Sequence, residues 1–162
     1  MLTRKCTQAL AFVNEILNHP EKINPYELCE MFGIEVISDK PIHQDGYLVC
    51  CDGMKLIFIS ARITNPHRRK FIIAHELGHF LMHRDGLFCC SNITDYGSTI
   101  VNSSVQENEA NSFASELLLP IVELKGMLPC EPVNFSIITG IADRFDVSVT
   151  HAAMQAVRSS NA

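Results

Sequence analysis

The segment His75-Glu76-Leu77-Gly78-His79 constrains this chain more than any other. It has the form His-Glu-x-x-His and lies in a stretch, Phe71 to His83, apolar enough for a buried helix. Residues four apart share one helix face, so His75 and His79 can direct two imidazole nitrogens at one metal ion. Glu76 sits about 100° further round, where it reaches a water on that metal rather than the metal itself. This is the arrangement of metal-assisted hydrolysis: zinc lowers the pKa of its water toward ~7 and the carboxylate takes the proton. With seven histidines in 162 residues, chance gives roughly 0.02 such motifs per chain. The plain alternative is a core helix carrying two hydrogen-bonded histidines.

A third ligand follows in sequence. Gln106 to Pro120 reads as a helix that stops at Pro120, with Glu107, Ala110, Asn111, Ala114 and Leu118 on one stripe. Two alanines on that stripe permit a close helix–helix approach, which a Glu needs to reach a metal held by another helix. Glu107 is therefore the expected third ligand, with Glu109 as its competitor. Asn111, one turn on, is placed to hydrogen-bond a ligand. Glu109 and Glu116 point to other faces and otherwise read as solvated charges.

These residues resemble a known family. His75-Glu-Leu-Gly-His79, then Leu81-Met82-His83, then Glu107-x-x-Ala110-Asn111-x-Phe113-Ala114-x-x-Leu117-Leu118-x-Pro120 look like the ImmA/IrrE zinc metallo-endopeptidases. The resemblance runs from about Asn24 to Val157. It implies zinc ligation by His75, His79 and Glu107, with Glu76 as the catalytic base. It further implies an intracellular bacterial peptidase that cleaves a helix-turn-helix repressor. Leu119 stands where a Met is common before the Pro, which touches no catalytic role.

Length and composition agree with a soluble globular protein of one domain: 47% hydrophobic and 19% charged residues over 162 positions. No apolar run approaches the ~18 residues of a membrane span. The N-terminal stretch contains Glu15 and lacks a signal-peptide core, so a cytoplasmic location is expected. Seven cysteines include the adjacent pairs Cys50-Cys51 and Cys89-Cys90 but no Cys-x-x-Cys. They read as reduced thiols, mostly small core residues, with redox sensing at Cys89 or Cys90 the alternative. The net charge of −5 argues against a nucleic-acid surface and for basic protein partners.

Along the chain, Thr3 to Leu17 carries apolar residues at helical spacing. Asn24-Pro25 and Asn65-Pro66 are helix starts, the second opening the helix of His75 and His79. Ile34 to Ile37 is strand-like. The runs Gly46–Cys51 and Met54–Ser60 flank Asp52-Gly53, a type I′ hairpin signal. A small sheet, then the His-Glu-x-x-His helix, then a second ligand helix is the zincin order. The expected fold is α+β and zincin-like, with a small antiparallel sheet or hairpin packed on the active-site helix and a helical C-terminal part. Residues 1–162 read as one domain, 1–130 holding the sheet and metal-site helices and 131–162 a helical pair. A hairpin strand at the cleft edge accepts an extended substrate by strand addition, or the hairpin only covers the core; which strand is the edge is open.

Several further features await placement. His67-Arg68-Arg69-Lys70 puts cations at a helix N-terminus, against the dipole by ~0.3–1 kcal/mol each; it is a solvated basic turn or has an acidic partner. Asp85 to Ser104 reads as a long loop between the ligand helices, and its Tyr96 is a candidate oxyanion donor. His83, ~12 Å along the axis from His75, cannot share its ion and is expected to support the site or the fold, with a contact to substrate or transition state as the alternative. His19, His43 and His151 read as ordinary surface or core residues. Ile141 to Met154 resembles a helix-turn-helix with its turn at Asp146-Val147-Ser148, yet its second helix offers a base edge only Gln155 and Arg158. Packing is the expected role, with no direct nucleic-acid contact.

Three functions compete: a zinc endopeptidase acting on a cytoplasmic protein, a non-cleaving interaction module on the same scaffold, and a DNA-binding regulator with a structural zinc. A structural zinc site is closed by four protein ligands and has no use for a Glu beside the first His, so the residues favour the endopeptidase.

Overall fold

The helix carrying His75 and His79 begins as the Asn-Pro pair dictates. The Asn65 side chain accepts the Arg68 N–H at 2.9 Å, and Pro66 occupies the first turn, where a missing N–H costs nothing. In this computed structural model, which describes residues 2–18, 22–38, 40–41, 43–83, 104–128 and 133–160, that helix (α3) spans Pro66–Met82. Before it come α1 (Arg4–Ile16), α2 (Pro25–Met31) and strands β1 (Glu35–Ile37), β2 (Gly46–Cys51) and β3 (Met54–Ile59). After it come α4 (Ser104–Leu118), α5 (Ile121–Met127), α6 (Phe135–Phe145) and α7 (Val149–Ser160). The architecture is α+β, as expected.

Asp52 (φ 48°) and Gly53 (φ 84°) both adopt left-handed backbone, which makes the β2–β3 turn type I′. The sheet is not wholly antiparallel. Its order is β1-β3-β2, and β1 pairs with β3 in parallel. The chain reverses between β1 and β2 and again at Asp52-Gly53, so the central strand ends up running with β1. Between β2 and β3, Gly46 opposes Ile59 and Leu48 opposes Ile57. The Ser60 N–H donates to the Asp45 carbonyl at 2.9 Å. Alternation along the ladder then turns the main-chain groups of Gly46, Leu48 and Cys50 away from β3, off the outer edge of β2.

That edge meets α3. A Cβ on Gly46 would lie 2.4 Å from Ile72 Cγ2 and 3.8 Å from Glu76 Oε1, so only glycine lets the strand start this close to the helix. Ile57, Ile59, Ile73 and Leu77 fill the space between sheet and helix and are fully buried.

The basic run at the start of α3 has internal acidic partners. Arg68 pairs with Asp45, and Lys70 with Asp146. The His67 Nδ1–H donates to the Asp146 carbonyl at 3.1 Å, and Lys22 approaches the same carboxylate at 3.8 Å. Asp146 is the left-handed C-cap of α6 (φ 53°), so one turn joins the C-terminal pair to α3. On α7, Gln155 is 1% exposed and donates to the carbonyls of Ser115 and Leu119. The side chain that might have faced a base is thus committed to α4.

Pro120 was expected only to end α4. It also serves as N-cap of α5, whose first N–H, from Ile121, is accepted by Glu116 Oε1 at 3.0 Å. Glu116 is therefore a half-buried cap and not a solvated charge. Among the cysteines, Cys6 and Cys29 are buried free thiols and Cys50 a half-buried one. Burial pushes Cys6 up to about 11 and Cys29 up to about 12, which makes both unreactive. Cys51 departs from the expected reduced state: it is disulfide-bonded. Residues 85–103, with Tyr96, Cys89 and Cys90, lie outside the described residues, as does His19.

Candidate metal and catalytic site

α3 and α4 pack closely where α3 carries Gly78 and α4 the small Ala110. A Cβ on Gly78 would lie 3.2 Å from Ala110 Cα and 3.1 Å from Phe113 Cδ1. This approach carries Glu107, one turn before Ala110, onto the histidine face of α3. His75 Nε2 lies 3.1 Å from His79 Nε2. The Glu107 carboxylate places one oxygen 3.2 Å from His75 Nε2 and the other 3.3 Å from His79 Nε2.

The sequence-selected trio is thus together, and it could hold a metal ion. Donors bound tetrahedrally at ~2.0–2.1 Å would be ~3.3 Å apart; the two imidazole nitrogens stand 3.1 Å apart, and one ligand atom from each of the three residues lies within 4.8 Å of the others. The donor set, two imidazoles and a carboxylate, is that of hydrolytic zinc sites and leaves a fourth position open. Burial lowers the proton affinity of both His75 and His79, and the neighbouring His75 lowers that of His79 further. Neutral imidazoles are what a metal requires.

Each ring is held at its other nitrogen. His75 Nδ1 lies 3.0 Å from Asn111 Oδ1, which fixes the proton on Nδ1 and the lone pair on Nε2. Asn111 thus has the supporting position expected of it. His79 Nδ1 lies 3.1 Å from His83 Nδ1, and His83 Nε2 lies 2.9 Å from Glu109 Oε2. Glu109, read from the sequence as a solvated charge or a rival ligand, is neither. It is 9% exposed and committed to His83. The histidine ladder 75-79-83 pointed to a role for His83; its carboxylate partner depends on how two helices cross and has no local signal.

Glu76 is 8% exposed and faces the outer edge of β2, where the Leu48 N–H donates to its carboxylate. This is one of the main-chain groups that strand alternation turns away from β3. Burial, reinforced by the Glu107 charge, pushes Glu76 up to about 8 despite that hydrogen bond. Such a carboxylate binds a proton strongly, and a nearby cation brings its pKa back toward neutrality.

Residues 29–156 match the peptidase M78 family, described as the IrrE N-terminal-like domain. A phage protein from Bacillus phage phi105, "Uncharacterized immunity region protein 2", is 32% identical over 111 residues, covering 68% of this chain and 67% of its own. "Metallopeptidase ImmA" of Bacillus subtilis (strain 168) is 31% identical over 107 residues, covering 65% of this chain and 60% of its own. The family match takes in α3 and α4 entire, with every residue of the His–His–Glu cluster, and on that ground the chain belongs to the ImmA/IrrE family of metallopeptidases.

Proposed function

We propose that this protein is a zinc-dependent endopeptidase that cuts an extended segment of another protein, with His75, His79 and Glu107 as zinc ligands and Glu76 as general base. The observation that carries the reading is the convergence of two imidazole nitrogens 3.1 Å apart and a carboxylate that sets one oxygen against each at 3.2–3.3 Å, beside a second, buried carboxylate, Glu76, that is turned to the strand edge. When bound, the metal supplies Lewis acidity, which makes water a nucleophile near neutral pH. The rest belongs to the chain. Glu76 takes the proton of the attacking water and returns it to the leaving amine. Its burial keeps the proton from escaping to solvent, and the Leu48 N–H fixes its direction. Asn111 and His83 hold the two imidazoles with their lone pairs toward the ion.

The outer edge of β2 supports the substrate class. Main-chain groups of Gly46 and Cys50 are turned the same way as Leu48, and such an edge accepts an extended peptide by strand addition. A folded helix presents no free main-chain partners to it. The chain carries a net charge of −5, which favours basic partners. The phage relative is named for an immunity region, and the family resemblance implies a helix-turn-helix repressor. We therefore assign a repressor of that kind as the substrate, cut at a linker in the cytoplasm; among the described residues no helix is long and apolar enough to cross a membrane. The 162 residues act as one unit in this reading, with the 131–162 pair packing on the rest rather than binding nucleic acid.

The test is incubation of the zinc-loaded protein with the helix-turn-helix regulator encoded beside its gene, followed by intact-mass measurement. One discrete cut, absent with a chelator, is expected. Digestion of casein to many fragments with the regulator left whole would show the substrate class to be wrong.

A further inference from the structure

We propose that Glu109 and His83 form a buried positioning relay that sets the tautomer and orientation of His79 for the metal. The inference rests on the reading of His75, His79 and Glu107 as ligands. It adds two residues that touch neither metal nor substrate.

The argument runs through proton positions. Glu109 is an acceptor when ionised, and it sits 2.9 Å from His83 Nε2, so the His83 proton belongs on Nε2. With its proton on Nε2, His83 presents the Nδ1 lone pair, and that atom lies 3.1 Å from His79 Nδ1. Two bare nitrogens at this distance repel. The His79 proton is therefore drawn to Nδ1, which leaves the Nε2 lone pair facing His75 and Glu107. In the opposite tautomer the Nε2–H of His79 points into the ligand cluster and blocks it. Glu109 thus selects the metal-ready form of His79 across an intervening ring.

The relay has the properties of a built device. The His83 side chain is 3% exposed and that of Glu109 10%, so water does not compete for either. Glu109 is held from its other side by a hydrogen bond from Thr3, whose Oγ1 also accepts the Cys6 N–H as N-cap of α1. The two histidine ligands are supported unequally. His75 leans on the neutral amide of Asn111, whereas His79 reaches a carboxylate one imidazole away. Carboxylate support raises the basicity of a ligand imidazole, and loss of such support typically costs 10–100-fold in metal affinity.

Chelator competition with Co2+ on the full chain, together with the cobalt d–d absorption spectrum and the melting temperature of the metal-free protein, tests this. His83→Phe should weaken Co2+ binding about 10–100-fold and alter the spectrum in protein that is still folded. Glu109→Gln keeps shape and acceptor while removing charge; it should weaken binding by roughly 3–10-fold and guards against misfolding of the larger change. A merely structural pair would lower the melting temperature and leave affinity and spectrum as in the wild type, which overturns the relay alone. A wild-type protein whose Co2+ binding is indifferent to His75→Ala overturns the ligand assignment and the relay with it.

Discussion

Gly78 on α3 lies against Ala110 on α4, with 3.2 Å between the position a Gly78 Cβ would take and the Ala110 Cα. A methyl on the α3 side would have to push its neighbours back by a few tenths of an ångström. The distance from the histidines to Glu107 is set here, one turn from the donor atoms themselves.

Gly78→Ala should therefore act on the metal through the backbone. The new methyl meets main chain at Ala110 and the Phe113 ring at 3.1 Å, and overpacking of this kind costs about 1–3 kcal/mol. Thermal unfolding should show a drop of a few degrees. Chelator competition should show weaker metal binding, although no ligand has changed. Unaltered metal affinity in the folded variant would mean that α4 can slide without moving Glu107.

The ligand assignment predicts about one zinc per chain by elemental analysis of purified protein. His75→Ala and His79→Ala should each lose it. Glu107→Ala should lose it as well, because Glu109, the nearest other carboxylate on α4, is held by His83 and is not free to replace it. Full occupancy in Glu107→Ala would hand the ligand role to another residue.

Glu76→Gln separates binding from chemistry. Zinc content and fold should persist while cleavage falls by at least ~10². Cleavage at the wild-type rate would remove Glu76 from the mechanism.

The same substitution has a pH signature in the metal-free protein. Folded Glu76 keeps its proton up to about 8, against an ordinary value of 4.5. Between those values the folded state binds more protons than the unfolded state, so stability falls as pH rises through the window. Glu76→Gln should remove that fall. Its advantage should be absent near pH 4 and reach roughly 2 kcal/mol or more, about 4–8 °C in Tm, near pH 7.5. Parallel pH profiles for the two proteins in the presence of chelator would contradict the burial argument.

What could be read in advance was local. Asn65-Pro66, Asn24-Pro25 and Asp52-Gly53 each state their backbone geometry within two residues, and helix starts and turn stand where those pairs put them. The His-Glu-x-x-His spacing is likewise a property of one helix. Other features depend on how separated pieces meet. The sense of the β1–β3 pairing comes from the connections, not from the alternation of either strand. Glu109 looks like any helical surface Glu until α3 packs on α4 and His83 comes within reach. Pro120 signals a stop, and the same residue opens α5 because the chain resumes helical geometry directly after it. The Cys51 disulfide ran against the reduced state inferred from spacing, since the spacing of cysteines alone does not reveal which of them pair.

Asp146 bears on how this chain can be divided. Its carbonyl and carboxylate hold His67 and Lys70, and Gln155 on α7 satisfies two carbonyls near the end of α4. Loss of α6 and α7 would leave Lys70 without its carboxylate, while Arg68 kept Asp45, and would strip hydrogen bonds from the end of the helix that bears Glu107. The last thirty or so residues thus work as a fastener on both ligand helices. Clipping the chain there would disable the site at a distance, without touching any atom in it.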